Sequence, residues 1–436
     1  MSVYPRNLST FLNRLSGYNK NNVKMNVLGA STANTGDTIQ VDLPTNSIVD
    51  LSSLAWSFKI LYSLSGTDNG AGADDTYSPP INCEGLISRL AIEVNGQTLC
   101  NLTNYNHLFH ALLYVSATED YQRQRMVAQS NTGTGAGGSA VAFDNTVGNF
   151  DEAARTQEHV IDSWVGFLGS AKPNFIDTSL LGNVRITITL AGSEIFSKSN
   201  ARATPSYAIS EQHFSMDVVS ISDGIYDAMV DQMLASGAPL EIPFKNYFSF
   251  TDSRQTMDHS FNFHVASQSI DRLWAVPRGT RGDEVAGLTI TANPRHPIVQ
   301  NDNQIFRYRS CAGQNFQFQV NNTLYPNWSS NKAQDWWQHT KLAVGDQGNM
   351  LSGSYPQSMV HYTGNFFVYA CSLEHQTDGD ERFVSGIDTR GAAASCMFKS
   401  GPGHALGGAA PNDLFIFAEC TSSLRIMANK VLEIVQ

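Results

Sequence analysis

The run GTGAGG at Gly133 to Gly138 has the G-x-G-x-x-G spacing that lets backbone N–H groups approach a dinucleotide pyrophosphate at a strand-to-helix turn. It sits in a stretch of small polar residues and is not joined to a strand and helix of a βαβ unit, so it reads as a loop. GPGHALGG from Gly401 is the same case. His107 and His110 fall at i, i+3 on a helix, a spacing that can hold a metal, but no carboxylate or thiol pattern accompanies them, which favours a half-buried helix face. Asp378, Asp380 and Glu381 crowd charge without the rest of a calcium loop and read as a solvated turn. Arg281-Gly282-Asp283 is a receptor-binding tripeptide in a polar loop, where coincidence is the ordinary explanation. Trp328, Trp336 and Trp337 are of the type that forms a sugar platform, yet their helical placement favours core or interface. The chain has no G-x-S-x-G, H-E-x-x-H or phosphate loop. The residues therefore point to no catalysis, no cofactor and no metal.

The elements that would hold any site are strands. Charged residues are only 15% of 436, aromatics are plentiful, and Gly, Asn, Ser and Thr cluster between extended runs, as in an all-β protein with many turns. A net charge of -11 excludes phosphate neutralisation as the main task of the body. Cys83, Cys100, Cys311, Cys371, Cys396 and Cys420 lie far apart with no CxxC pair, which predicts buried free thiols made in a reducing compartment. The amino terminus lacks the apolar run and cleavage site of a signal peptide, so synthesis inside a cell and no secretion are expected.

The length suits two domains of roughly 200 residues. A change of period marks the seam between them. Met216 to Ile221 alternates as a strand, Asp223 is a candidate N-cap, and Tyr226, Met229, Val230, Met233 and Leu234 recur at helical spacing. Gly237 and Pro239 then stop the helix, and Leu240, Ile242, Phe244 and Phe248 begin a new extended run. On both sides the same plan recurs. LISRLAIEV, a turn at Asn95-Gly96, QTLCNL and a helix carrying Tyr105, Leu108, Phe109, Leu112 and Leu113 are restated by QNFQFQV, a turn at Asn321-Asn322, TLYP and a helix carrying Trp336 and Trp337. A second echo is IDT at Ile176 to Thr178 and at Ile387 to Thr389, each between two strands. Two echoes in one order, flanking the same element types, indicate an internal duplication of the fold. HVIDSWVGFLG and NVRITITLAG read as the strands that lead to the seam.

In the second half FNFHVASQSIDRLWAVPR, FFVYACSLEHQTDGDERFVSGIDT and DLFIFAECTSSLRIMANKV stand in the order found in one family, and in the first half LISRLAIEVNGQTL followed by a helix fits the same family. The chain resembles the double jelly-roll major capsid proteins of large eukaryotic DNA viruses and of their virophage and polinton-like relatives, over roughly residues 40 to 436. The resemblance implies two tandem antiparallel eight-stranded jelly rolls with a few short helices, residues 25–237 and 238–436. It further implies a homotrimer, pseudo-hexagonal in outline, that tiles an icosahedral virion shell beside neighbouring trimers, penton and minor capsid proteins. The alternative, from another class, is a carbohydrate-binding or carbohydrate-cleaving tandem jelly roll, in which paired carboxylates or exposed aromatics would act.

Residues 1–24 stand outside the resemblance. They carry Arg6, Arg14, Lys20 and Lys24 with no acid, and Leu8, Phe11, Leu12 and Leu15 share one helical face. This basic amphipathic arm is expected to face inward, its apolar side on a neighbouring trimer, a minor protein or an inner membrane and its charges toward phosphates, the genome included. The loops 65–82, 128–149 and 279–304 have no side chains to fill a core and are expected on the outer face of the block.

Overall fold

The computed structural model describes residues 18–65, 77–78, 80, 82–117, 155–195, 197–198, 204–221, 225–237, 239–254, 259–278, 306, 308–310, 314–344, 359–374, 386–391, 395–401, 412–427 and 430–436. The three loops expected at the outer face lie outside these residues, apart from Ser65, which ends a strand, and a few positions between 77 and 82.

The principal strands of the first half are β1 (Tyr18–Asn26), β2 (Thr38–Asp42), β3 (Ile48–Ser65), β4 (Ile87–Val94), β5 (Gln97–Thr103), β6 (Arg155–Ile161), β7 (Val184–Leu190) and β8 (Thr204–Ile221). Those of the second are β9 (Leu240–Arg254), β10 (His259–His264), β11 (Ile270–Arg278), β12 (Gln314–Val320), β13 (Thr323–Tyr325), β14 (Tyr369–Ser372), β15 (Ser395–Gly401) and β16 (Asn412–Ile426). The first half forms sheets β1-β8-β3-β6 and β2-β7-β4-β5, and the second forms β9-β16-β11-β14 and β10-β15-β12-β13. Adding eight to each strand of the first half gives the order in the second. Strands one and eight, two and seven, three and six, four and five of each half pair antiparallel, the wrapped double Greek key of a jelly roll. The all-β, doubled jelly-roll architecture expected from the sequence is the one observed.

Alternation explains the sheets. In β7, Val184, Ile186, Ile188 and Leu190 are buried while Arg185, Thr187 and Thr189 are not, as a strand with one wet face requires. The β4–β5 hairpin turns at Asn95-Gly96 with φ of 50° and 80°, positive angles at both central residues that match strand twist and suit Asn-Gly. Each such hairpin runs into a helix of twelve residues: α1 (Tyr105–Ser116) in the first half, and, after α2 (Ile225–Ala235) at the seam, α3 (Ala333–Val344) in the second. Gly237 ends α2 at φ 80°, with its N–H on the Leu234 carbonyl. Val230 and Leu234 are buried, whereas Met233 of the same stripe is exposed.

The IDT echo is one device built twice. Thr178 Oγ1 donates to the Pro44 carbonyl at 2.7 Å and accepts from Ser47 N at 3.0 Å, while Thr178 N donates to the Ser47 carbonyl at 2.9 Å. Thr389 Oγ1 donates to the Val265 carbonyl at 2.8 Å and accepts from Ser267 N at 3.1 Å, and Thr389 N donates to the Ser267 carbonyl at 2.9 Å. In each roll the threonine ties down the turn between the second and third strands.

Two expectations are corrected. Residues 18–24, read as part of a basic arm, belong to β1, which pairs along its whole length with β8 from Tyr18↔Ile221 to Asn26↔His213. The polar sequence YNKNNVKMN hides a strand because an edge strand with one wet face needs few apolar residues. HVIDSWVGFLG is not one strand: β6 ends at Ile161, and Phe167–Ser170 form a helical turn that reaches the second roll.

Candidate assembly surfaces

The two rolls meet along a seam that uses one side of each. In β11 and β16 both faces are buried. Leu273, Ala275, Ile416 and Ala418 point into the core of the second roll, while Trp274, Val276, Phe415 and Phe417 join the cluster that holds the first. Helix α1 lies on this outward face. The His107 ring stacks on Phe415 at 4.1 Å, His110 stacks on Phe306 at 4.1 Å, and Tyr114 meets Phe366 edge-on at 4.7 Å. His107 Nδ1 is 3.1 Å from the Tyr308 hydroxyl, and His110 Nδ1 is 2.7 Å from the Asn106 carbonyl. Burial, with the charge of Arg278 nearby, pushes the His107 pKa well down, so the ring is neutral. Both histidines are spent on packing, and they are buried more deeply than a half-buried helix face because the second roll closes over them.

The seam also covers a sheet edge. Strand β9 would present an open ladder, but Lys172 N donates to the Pro243 carbonyl at 3.0 Å, Lys245 N donates to Ser170 Oγ at 2.8 Å, and Asn104 Nδ2 donates to Ser249 Oγ at 2.9 Å. The first roll thus caps an edge that would otherwise recruit another strand.

Beside it lies a buried charge network. Lys245 Nζ reaches Asp271 at 2.7 Å, Glu374 at 3.2 Å and Thr421 Oγ1 at 3.1 Å. Arg272 bridges Glu374 at 3.1 Å and Glu419 at 3.2 Å, and Trp274 Nε1 donates to Glu419 at 3.1 Å. Burial works against the Lys245 ammonium, yet Asp271, Glu419 and Glu374 outweigh it and raise its pKa. Burial raises the Glu419 pKa against the pull of Arg272 and Lys245.

The first roll repeats this clamp on the same three strands. Lys20 on β1 reaches Asp50 on β3 at 3.3 Å and Asp217 on β8 at 2.8 Å, as Lys245 on β9 reaches Asp271 on β11 and Thr421 on β16. Ser52 donates to Asp50 and Ser269 to Asp271, both at 2.5 Å. The copies differ in cover: the Lys20 side chain is 40% exposed and that of Lys245 is 14%. Hydrogen bonds to Asp217 and Asp50 raise the Lys20 pKa. Lys24 is exposed on β1. Arg6, Leu8, Phe11, Leu12, Arg14 and Leu15 lie outside the described residues.

Trp336 is buried edge-on to Phe316 at 4.9 Å, Trp337 packs on Tyr362 at 4.9 Å, and Trp328, beyond β13 and not on the helix, is 50% exposed beside His339. Cys83, Cys100, Cys371, Cys396 and Cys420 are buried free thiols, and burial pushes Cys100 and Cys371 up to about 12; Cys311 is outside the described residues. So are Gly133 to Gly138, Arg281 to Asp283 and Asp378 to Glu381. Among the described residues no three His, Cys, Asp or Glu side chains gather as a metal site, and no helix is long and apolar enough to cross a membrane.

No protein-family model and no curated protein sequence matches the chain. Solved structures match its fold. A chain of the PBCV-1 virus capsid aligns with a TM-score of 0.59 at 12% identity over 96% of this chain and 97% of that one. The Faustovirus major capsid protein aligns at 0.58 and 10% over 93% and 90%, and a chain of the Sputnik virophage at 0.57 and 11% over 96% and 88%. The likeness spans both rolls, and the chain has the double jelly-roll fold of these capsid proteins.

Proposed function

We propose that the chain is the major building block of a virus shell, three copies forming a block with a six-sided outline that packs beside its neighbours. One observation carries the reading: the two rolls have identical strand order and are joined side by side, and this whole arrangement aligns end to end with capsid chains. A doubled roll presents two similar units per chain, so three chains supply six around an axis. The role is structural and not catalytic. Supporting this, His107, His110, the buried thiols and the Lys245 charge network are committed to packing between or within rolls.

Residues 1–17 keep the inward role, with Arg6 and Arg14 toward phosphates and Leu8, Phe11, Leu12 and Leu15 on a neighbouring block, a minor protein or an inner membrane. Penton and minor capsid proteins are the further partners, and the virion is the place of work. The carbohydrate reading would act through paired carboxylates or exposed aromatics, and of the three tryptophans Trp336 is buried and Trp337 half-buried, leaving Trp328 alone of the three exposed. Negative-stain electron microscopy of the purified chain is expected to show six-sided blocks. Single double-lobed particles at micromolar concentration, together with specific glycan binding, would overturn the proposal in favour of a lectin or glycosidase.

A further inference from the structure

The seam within the chain joins a docking side of the first roll to a receiving side of the second. The docking side of the first roll comprises α1 and the Phe167–Ser170 turn, with Asn104 after β5. The receiving side of the second roll is the outward face of β11 and β16 together with the β9 edge. Because the strand order of one roll repeats that of the other, the second roll has a counterpart of the docking side and the first a counterpart of the receiving side, and this contact uses neither.

The counterpart of the receiving side is the outward face of β1-β8-β3-β6. Its cross-strand pairs Ala55↔Ser215, Ser57↔His213 and Lys59↔Ser210 are half-buried and small or polar, where the second roll has Trp274↔Phe417 and Val276↔Phe415 beneath α1. The Lys20 side chain on this side is 40% exposed, against 14% for Lys245 at the seam. The counterpart of the docking side is on α3. Helices α1 and α3 are of equal length and follow the same hairpin, and aligned end to end they place His107, His110 and Tyr114 opposite Asp335, Gln338 and Leu342. The three on α1 are buried in the seam, whereas Gln338 is exposed and Leu342 is 45% exposed, with Trp328 at 50% against His339 of the same helix. An exposed leucine therefore stands where the first copy of the motif buries a tyrosine, and an exposed tryptophan lies against the same helix.

We propose that Trp328, Gln338 and Leu342 dock onto the Ala55, Ser57 and Ser215 face of a second copy of this chain. The inference rests on the trimer reading and names the surfaces that make it. Bulky side chains meet a shallow floor of Ala and Ser, the reverse of the seam within the chain, where rings meet rings. The contact is head-to-tail, so each copy uses both sides and a ring closes without a two-fold axis.

The test is a mixing experiment on the full chain, read by sedimentation. Trp328→Ser with Leu342→Asp disables docking, and Ala55→Arg with Ser215→Arg disables receiving; cooperative melting of each confirms folding. Wild type is expected to be trimeric and each variant monomeric. Their one-to-one mixture is expected to give a dimer and no trimer, because one good docking side meets one good receiving side. Folded variants that remain trimeric would overturn these surfaces and leave the trimer standing. A mixture that stays monomeric would overturn the pairing of these two faces. A monomeric wild type would overturn the trimer and this inference with it.

Discussion

Lys245 shows what burial does to a charge that its copy Lys20 keeps at the surface. With three carboxylates around two cations in a closed seam, removing one partner leaves charges that water cannot reach. Lys245→Ala is expected to cost about 3–5 kcal/mol of stability, seen as a lower melting temperature. Lys20→Ala should cost far less, because solvent already screens its pair. Equal losses would show that the two clamps do not differ in cover. His107 adds a pH dependence whose sign follows from its depressed pKa. Above the ordinary histidine value near 6.5 both folded and unfolded forms are neutral and stability is full. Below it the unfolded chain takes up a proton that the folded ring refuses, and stability falls by up to about 1.4 kcal/mol per pH unit. His107→Phe, which keeps the stack on Phe415, is expected to flatten the fall between pH 6.5 and 5 relative to wild type. Parallel slopes for the two proteins would contradict a neutral His107.

At the scale of elements, the two threonine ties predict that the rolls respond alike. Thr178→Val and Thr389→Val each remove a hydroxyl that donates to one carbonyl and accepts from one amide, so each is expected to cost about 1–3 kcal/mol in urea unfolding. A large loss at one site and none at the other would show that the echo is not one device. The IDT echo was legible in the sequence because three consecutive residues carry it, though the hydrogen bonds it makes were not, and the hairpins were legible since Asn-Gly and a following helix are local signals. Strand β1 was not, because YNKNNVKMN carries no alternation and its register comes from β8, far along the chain. The Lys–Asp clamps were invisible for the same reason: Lys20, Asp50 and Asp217 are brought together only by sheet pairing. His107 and His110 were placed on the right helix, but their depth depends on a second roll whose Phe415 and Phe306 no local pattern links to them. The boundary of the basic arm moves from 24 to 17 on this account. Deleting residues 2–17, with β1 left whole, is expected to give trimers in sedimentation and few closed shells in electron microscopy. Normal shells, or failure to trimerise, would each contradict the inward role of the arm.

For the whole molecule, duplication makes one seam do two jobs. In the proposed trimer the arrangement that joins the rolls of one chain recurs, with smaller side chains on the receiving face, as the surface for the next chain. Permanent contacts of this kind bury on the order of 2,000–5,000 Å², more than a transient pairing requires, so the assembly should persist on dilution. The mass of the purified full chain in sedimentation equilibrium, from micromolar down to nanomolar concentration, tests this most directly. A constant mass of three times 47.6 kDa is the result expected. A mass of 47.6 kDa at micromolar concentration, from protein that melts cooperatively, would contradict it.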